Sequence, residues 1–146
     1  MSPATLGLLI GGALPALLFG MTGILQKTST RAGVGVGPYL VLVGLGVVLT
    51  GFVFGGVLPD RTLSARSGLF ATLVGVTWGF GMGFVAIGLA RYGAPLSKLV
   101  PLYNMNTLIV ALLALVLFAE WREVNGLRLF FGAALVVIGG LLVARA

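Results

Sequence analysis

The sequence predicts an all-α integral membrane protein of five transmembrane helices, and three observations carry that expectation. First, 59% of the 146 residues are hydrophobic and only 8% charged, with a mean hydropathy of +1.17. A water-facing domain carries about a quarter charged residues, so this chain suits lipid as its solvent. Second, five apolar runs, each about 20 residues long, are joined by short polar connections, the length needed to cross a roughly 30 Å hydrocarbon core. Third, all nine basic and all three acidic residues fall in connections or near run ends, where interfacial side chains belong. A β-barrel is a poor fit, because no segment of about ten residues alternates polar and apolar positions.

Taken in order, the first span covers about residues 5–25 and contains Pro15, which should kink it. It lacks a basic leading segment and a small-x-small cleavage motif, so it reads as a retained span, not a signal peptide. A loop, Gln26 to Arg31, is expected next. The second span covers about 33–58 and ends at Pro59-Asp60-Arg61. The third covers about 68–90 and is broken by Arg91 to Pro95. The fourth covers about 98–119, with Ser97 as its cap, and ends at Glu120-Trp121-Arg122-Glu123. The fifth covers about 127–144. Together they form a single five-helix membrane domain over residues 1–146.

Glycine spacing fits a packed bundle. Gly75, Gly79 and Gly83 recur every fourth residue and share one face of the third span. Gly51 and Gly55 do the same in the second, and Gly7 and Gly11 in the first. Small residues at that spacing let helix backbones approach closely in lipid.

The polar anomaly lies in the fourth span. Tyr103, Asn104, Asn106 and Thr107 interrupt an apolar run just after Pro101, which removes a backbone donor and kinks the helix. A buried amide in hydrocarbon costs several kcal/mol unless it finds a partner. On a regular helix the two asparagines sit about 200° apart, so one faces a solute path and the other a neighbouring helix. Further candidates for a cavity wall are Thr77 and Trp78 in the third span and Gln26 at the end of the first. Core packing is the open alternative for Trp78. Glu120 is expected to pair with Arg122 or Arg128, with Trp121 anchoring the helix at headgroup level.

The basic residues are balanced across the membrane. Five spans place Lys27, Arg31, Arg91, Lys98 and Arg145 on one side. Arg61, Arg66, Arg122, Arg128 and the terminal amine lie on the other. The positive-inside rule therefore selects neither orientation. Either orientation is fixed by the first helix or a partner, or copies insert both ways and pair as an antiparallel homodimer.

The fourth and fifth segments carry a recognisable pattern. Ala94-Pro95-Leu96-Ser97-Lys98-Leu99-Val100-Pro101-Leu102 opens a span that closes on Ala119-Glu120-Trp121, followed by Gly126 and the run Gly132 to Gly140. The first segment contributes Phe19-Gly20, Gly23 and Gln26-Lys27. The chain resembles one half-size repeat of the EamA-like transporters in the drug/metabolite transporter superfamily. Members commonly have ten helices made of two inverted five-helix repeats. The resemblance implies a small-solute transporter in the cell inner membrane, working by alternating access as an antiparallel homodimer. It also implies a path between the early and middle helices, with the fifth given to packing. Small multidrug resistance proteins are the nearest functional analogue. This chain departs from them in having five spans and no acidic residue in the first.

No charged residue falls mid-membrane, which favours a neutral or zwitterionic solute. There are no cysteines or histidines, so metal sites built on them and the usual nucleophile–base pairs lack their parts. No enzyme activity, metal or cofactor is expected. The scattered basic residues make no nucleic-acid surface. The expected partners are lipid, a second copy and a small solute. The competing expectation is a non-transporting membrane scaffold or accessory subunit.

Overall fold

The computed structural model describes residues 3–59, 62–122 and 124–146. Helix makes up 86% of the described residues, and no strand occurs among them. Five helices are long and apolar enough to cross a membrane: α1 (Thr5–Arg31), α2 (Val36–Val57), α3 (Ala65–Arg91), α4 (Leu96–Leu117) and α5 (Gly126–Arg145). This is what a chain in hydrocarbon must do with its backbone, since each N–H and C=O needs a partner within its own segment. The backbone separates into two compact units, Met1–Gly93 with α1 to α3 and Ala94–Ala146 with α4 and α5.

The first helix differs from expectation at its end. The residues Gln26 to Arg31, expected as a loop, continue the helix through to Arg31. Polarity here does not mark the end of helical structure. The Thr28 hydroxyl donates back to the Ile24 carbonyl at 2.9 Å, and that of Thr30 to the Gln26 and Lys27 carbonyls at 3.1 and 3.0 Å. Each hydroxyl shares a carbonyl and replaces no backbone donor, so the helical ladder continues beside it. The helix stops only where Gly33 adopts φ +89°, with its N–H donating to the Thr30 carbonyl, a left-handed terminator that glycine reaches without strain.

Near the start of the same helix, a five-residue π segment, Leu9–Ala13, stands immediately before Leu14 and Pro15. The Leu14 N–H reaches the Leu9 carbonyl, five residues back. The wider π turn sits where proline deprives the ladder of a donor.

The third helix starts at Ala65, earlier than expected, because Ser64 and Ser67 form a reciprocal capping box. It ends at Arg91, and Gly93 turns the chain at φ +60°. The fourth helix begins at Leu96. Its cap is Pro95, whose carbonyl takes the N–H groups of Lys98 and Leu99, and not the expected Ser97. At the far end α4 stops at Leu117, two residues before the expected boundary, and Ala119 turns into the left-handed region at φ 57°. A short 3-10 turn, Glu120–Arg122, follows. Asn125 then caps α5 by accepting the Arg128 N–H at 3.1 Å.

In the first unit α3 packs against both α1 and α2. Gly23 and Gln26 of α1, Tyr39 of α2, and Gly83 and Ala86 of α3 are its buried residues. In the second unit the opening part of α4 packs on α5, burying Leu96 and Gly140. The long apolar faces of all five helices are otherwise exposed, as suits helices whose neighbours are lipid tails.

Candidate functional site

The helix α4 is not continuous. An α-helical segment over Leu96–Tyr103 ends at Asn104, and a second, Asn106–Leu117, begins after Met105. Pro101 lies inside the first segment and supplies no N–H, so the carbonyl of Ser97 loses the donor a regular helix would give it. Beyond it the ladder tightens from four-residue to three-residue steps. The Asn104 N–H still reaches the Val100 carbonyl at 3.0 Å. The Met105 N–H then donates to Leu102 at 3.3 Å, that of Thr107 to Asn104 at 3.1 Å, and that of Leu108 to Met105 at 3.1 Å.

This geometry changes what the asparagines can do. The 200° separation expected on a regular helix does not apply, because Asn104 closes one segment and Asn106 opens the next. Both side chains are exposed, and neither amide has a hydrogen-bonding partner among the described residues. Among the described residues, neither side chain bonds a neighbouring helix. The packing contact falls to Met105 between them, whose Cγ and Sδ lie 3.4 Å from where a Cβ on Gly140 would stand. A thioether is pliable enough to fill an irregular gap beside a bent backbone.

Thr107 belongs to the same break. Its hydroxyl donates to the Asn104 carbonyl at 2.9 Å, beside the backbone bond to the same oxygen. Tyr103 ends the first segment and is partly exposed. Thus Tyr103, Asn104, Asn106 and Thr107 are brought together at one discontinuity. It lies about 12–15 Å along a helix that is about 33 Å long, near mid-span. Two unpartnered primary amides there offer donors and acceptors but no charge.

The remaining candidates lie in the first unit. Trp78 is 42% exposed, and the Thr77 hydroxyl is turned back onto the carbonyls of Leu73 and Val74 at 2.8 and 3.1 Å. Gln26 is different. It is 2% exposed, the only buried polar side chain among the described residues, and its Nε2 donates to the Met82 carbonyl of α3 at 3.4 Å. It is packed between α1 and α3 and presents almost no free surface. Trp121 and Arg122 are exposed on the 3-10 turn. The side chain of Glu120 and the whole of Asp60, Arg61 and Glu123 lie outside the described residues, and with them the pairing expected of Glu120.

The glycine stripe divides. A Cβ on Gly83 would lie 3.3 Å from Leu40 Cδ1, whereas Gly75, Gly79, Gly51, Gly55, Gly7 and Gly11 have nothing within 4 Å of theirs. Close approach inside the chain is therefore made at Gly83 and, in the second unit, at Gly140. Buried or packing residues that polarity and spacing did not single out include Tyr39, Ala86, Met105 and Gly140. The Gly139-Gly140 pair in a run otherwise free of side-chain polarity was the one available signal for the last. Among the described residues no group of three His, Cys, Asp or Glu side chains is placed to hold a metal ion.

Nothing among protein-family models, curated proteins or solved structures matches this chain.

Proposed function

We propose that this chain is a small-solute membrane transporter of the drug/metabolite type, acting in the cell inner membrane as an antiparallel homodimer. The observation that carries the reading is the break in α4, where Asn104 and Asn106 present two partnerless amides near mid-span. Lipid tails cannot satisfy such groups, and each carries a desolvation cost of about 1–3 kcal/mol until it finds a partner. A solute bearing hydroxyl, carbonyl or amino groups supplies that partner. A neutral or zwitterionic solute fits best, because amides match dipoles and no side-chain charge stands nearby to hold a net ion.

The dimer rests on charge and size. Basic residues are balanced on the two sides of the spans, so neither orientation is favoured. Five helices are few to enclose a path, and two inverted copies supply ten. Alternating access would then rock one copy against the other around the α4 breaks.

Reconstitution of the purified chain alone in liposomes, with a broad panel of neutral and zwitterionic solutes, tests the proposal. Saturable flux is expected for at least one solute, reduced tenfold or more by Asn104→Ala or Asn106→Ala. No flux across the panel, together with a stable heterologous partner, would instead identify a membrane scaffold.

A further inference from the structure

Burial in the first unit is confined to one end. From Thr5 to Met21 of α1, from Val41 to Val57 of α2 and from Ala65 to Trp78 of α3, almost every residue is exposed. The buried residues fall in the last turns of α1, the first turn of α2 and the last turns of α3: Gly23, Gln26, Tyr39, Gly83 and Ala86, the last at 0% exposure. The three helices are thus drawn together only near the membrane face that carries Arg31 and Arg91, and the rest of their length is uncommitted.

At the centre of this closure stands an amide, not an aliphatic side chain. Gly83 lets α2 come close, with Leu40 Cδ1 3.3 Å from the position of a Cβ, and Gly23, one turn before Gln26, is buried with it. The Gln26 bond to the Met82 carbonyl is long at 3.4 Å, and that carbonyl already serves as an acceptor within the α3 ladder. A weak bond of this kind does little to hold helices together. What the amide does is change the cost of parting. Gln26 stands next to Lys27 and about 7.5 Å from the helix end at Arg31, within reach of interfacial water. When the helices separate, water replaces the single long bond and satisfies the rest of the amide. An apolar side chain at the same place would expose itself to water on opening and resist it.

We propose that Gln26 is the release residue of a gate at this end: it keeps the closure of α1 and α3 reversible. The movement rests on the transport reading only for its name as a gate, since the opening itself is measured without solute. The chain has no cysteine, so Arg31→Cys and Arg91→Cys provide a clean pair for nitroxide labels. Both are exposed residues on the last turns of α1 and α3. Pulsed electron–electron distances between them, in lipid nanodiscs, are expected to show a short and a longer population. Gln26→Met, which keeps the length of the side chain, and Gln26→Leu are each expected to deplete the longer population severalfold. Gln26→Glu is expected to enlarge it, which shows that the pair reports opening. An unchanged or lengthened distribution in the Met and Leu variants overturns the proposal. Absent flux in liposomes would overturn the transport reading and leave these distance shifts intact.

Discussion

Gly140 lies directly against Met105: a methyl group on its Cα would stand 3.4 Å from both Cγ and Sδ of the methionine and 3.7 Å from the Pro101 carbonyl. The bend in α4 and the bare backbone of α5 therefore fit each other. Alanine at 140 asks the flexible end of Met105 to move by a few tenths of an ångström and gains about 1 kcal/mol of helix propensity, so Gly140→Ala should leave stability close to unchanged. Gly140→Val adds two branches against the bend and should cost about 1–3 kcal/mol, as overpacking does. Thermal unfolding in detergent micelles separates the two. Equal behaviour of both variants would mean that α5 does not rest on the break.

The side-chain amides of Asn104 and Asn106 make no hydrogen bond among the described residues. Removing either amide should therefore change stability without ligand by less than about 0.5 kcal/mol, the range of substitutions away from structural contacts. Ligand-induced stabilisation should behave otherwise. A solute at 100 times its dissociation constant raises stability by about 2.7 kcal/mol, and that increment should be lost in at least one alanine variant. Thermal shift with and without solute gives both readings from the same samples. A loss of 1 kcal/mol or more without ligand would show that the amide binds another helix.

The spans were legible because length and apolarity are what lipid selects, and both can be read directly from residue order. The ends were less so. Gln26 to Arg31 looked like a loop since polar residues usually mark one, yet nothing in that stretch breaks a helix before Gly33. Polarity alone could not say that Gln26 would be buried beside Gly23 with its amide turned to Met82 of α3, because that depends on where α1 meets α3. Pro101 announced a disturbance in α4 but not that the ladder would tighten over Asn104 and Met105 or that Met105 would meet Gly140. Spacing placed Gly75, Gly79 and Gly83 on one face. It could not say that only Gly83 meets a neighbour, because that depends on where α2 crosses α3.

The turn between α4 and α5 contains a correctable strain. Ala119 holds φ 57° at the end of α4, a conformation that costs an L-residue about 1–2 kcal/mol. Glycine removes that cost while loosening the unfolded chain, so Ala119→Gly should stabilise by about 0.5–1 kcal/mol. At the other end of the turn, Asn125→Ala removes the bond to the Arg128 N–H and should destabilise by about 1 kcal/mol. The sites have no shared partner, and the double variant should return close to the parent value. Denaturant unfolding in micelles measures all three.

The outward part of the α3 stripe gives the sharpest test of pairing. Gly75 and Gly79 have nothing within 4 Å of a would-be Cβ, so alanine at both fits the single chain and adds about 0.8–1 kcal/mol of helix propensity per site. If a second copy packs its backbone against this face, the same methyl groups hold the two helices apart. The double variant Gly75→Ala, Gly79→Ala should therefore dimerise about fivefold more weakly in bilayers, near 1 kcal/mol, while its monomer unfolds at an equal or higher temperature. Gly44→Ala, also without a neighbour within 4 Å but on α2, serves as the control and should leave dimerisation unchanged. Energy transfer between labelled copies at graded protein-to-lipid ratios reads the equilibrium. If the stripe variant and the control associate equally well, the copies meet on another face.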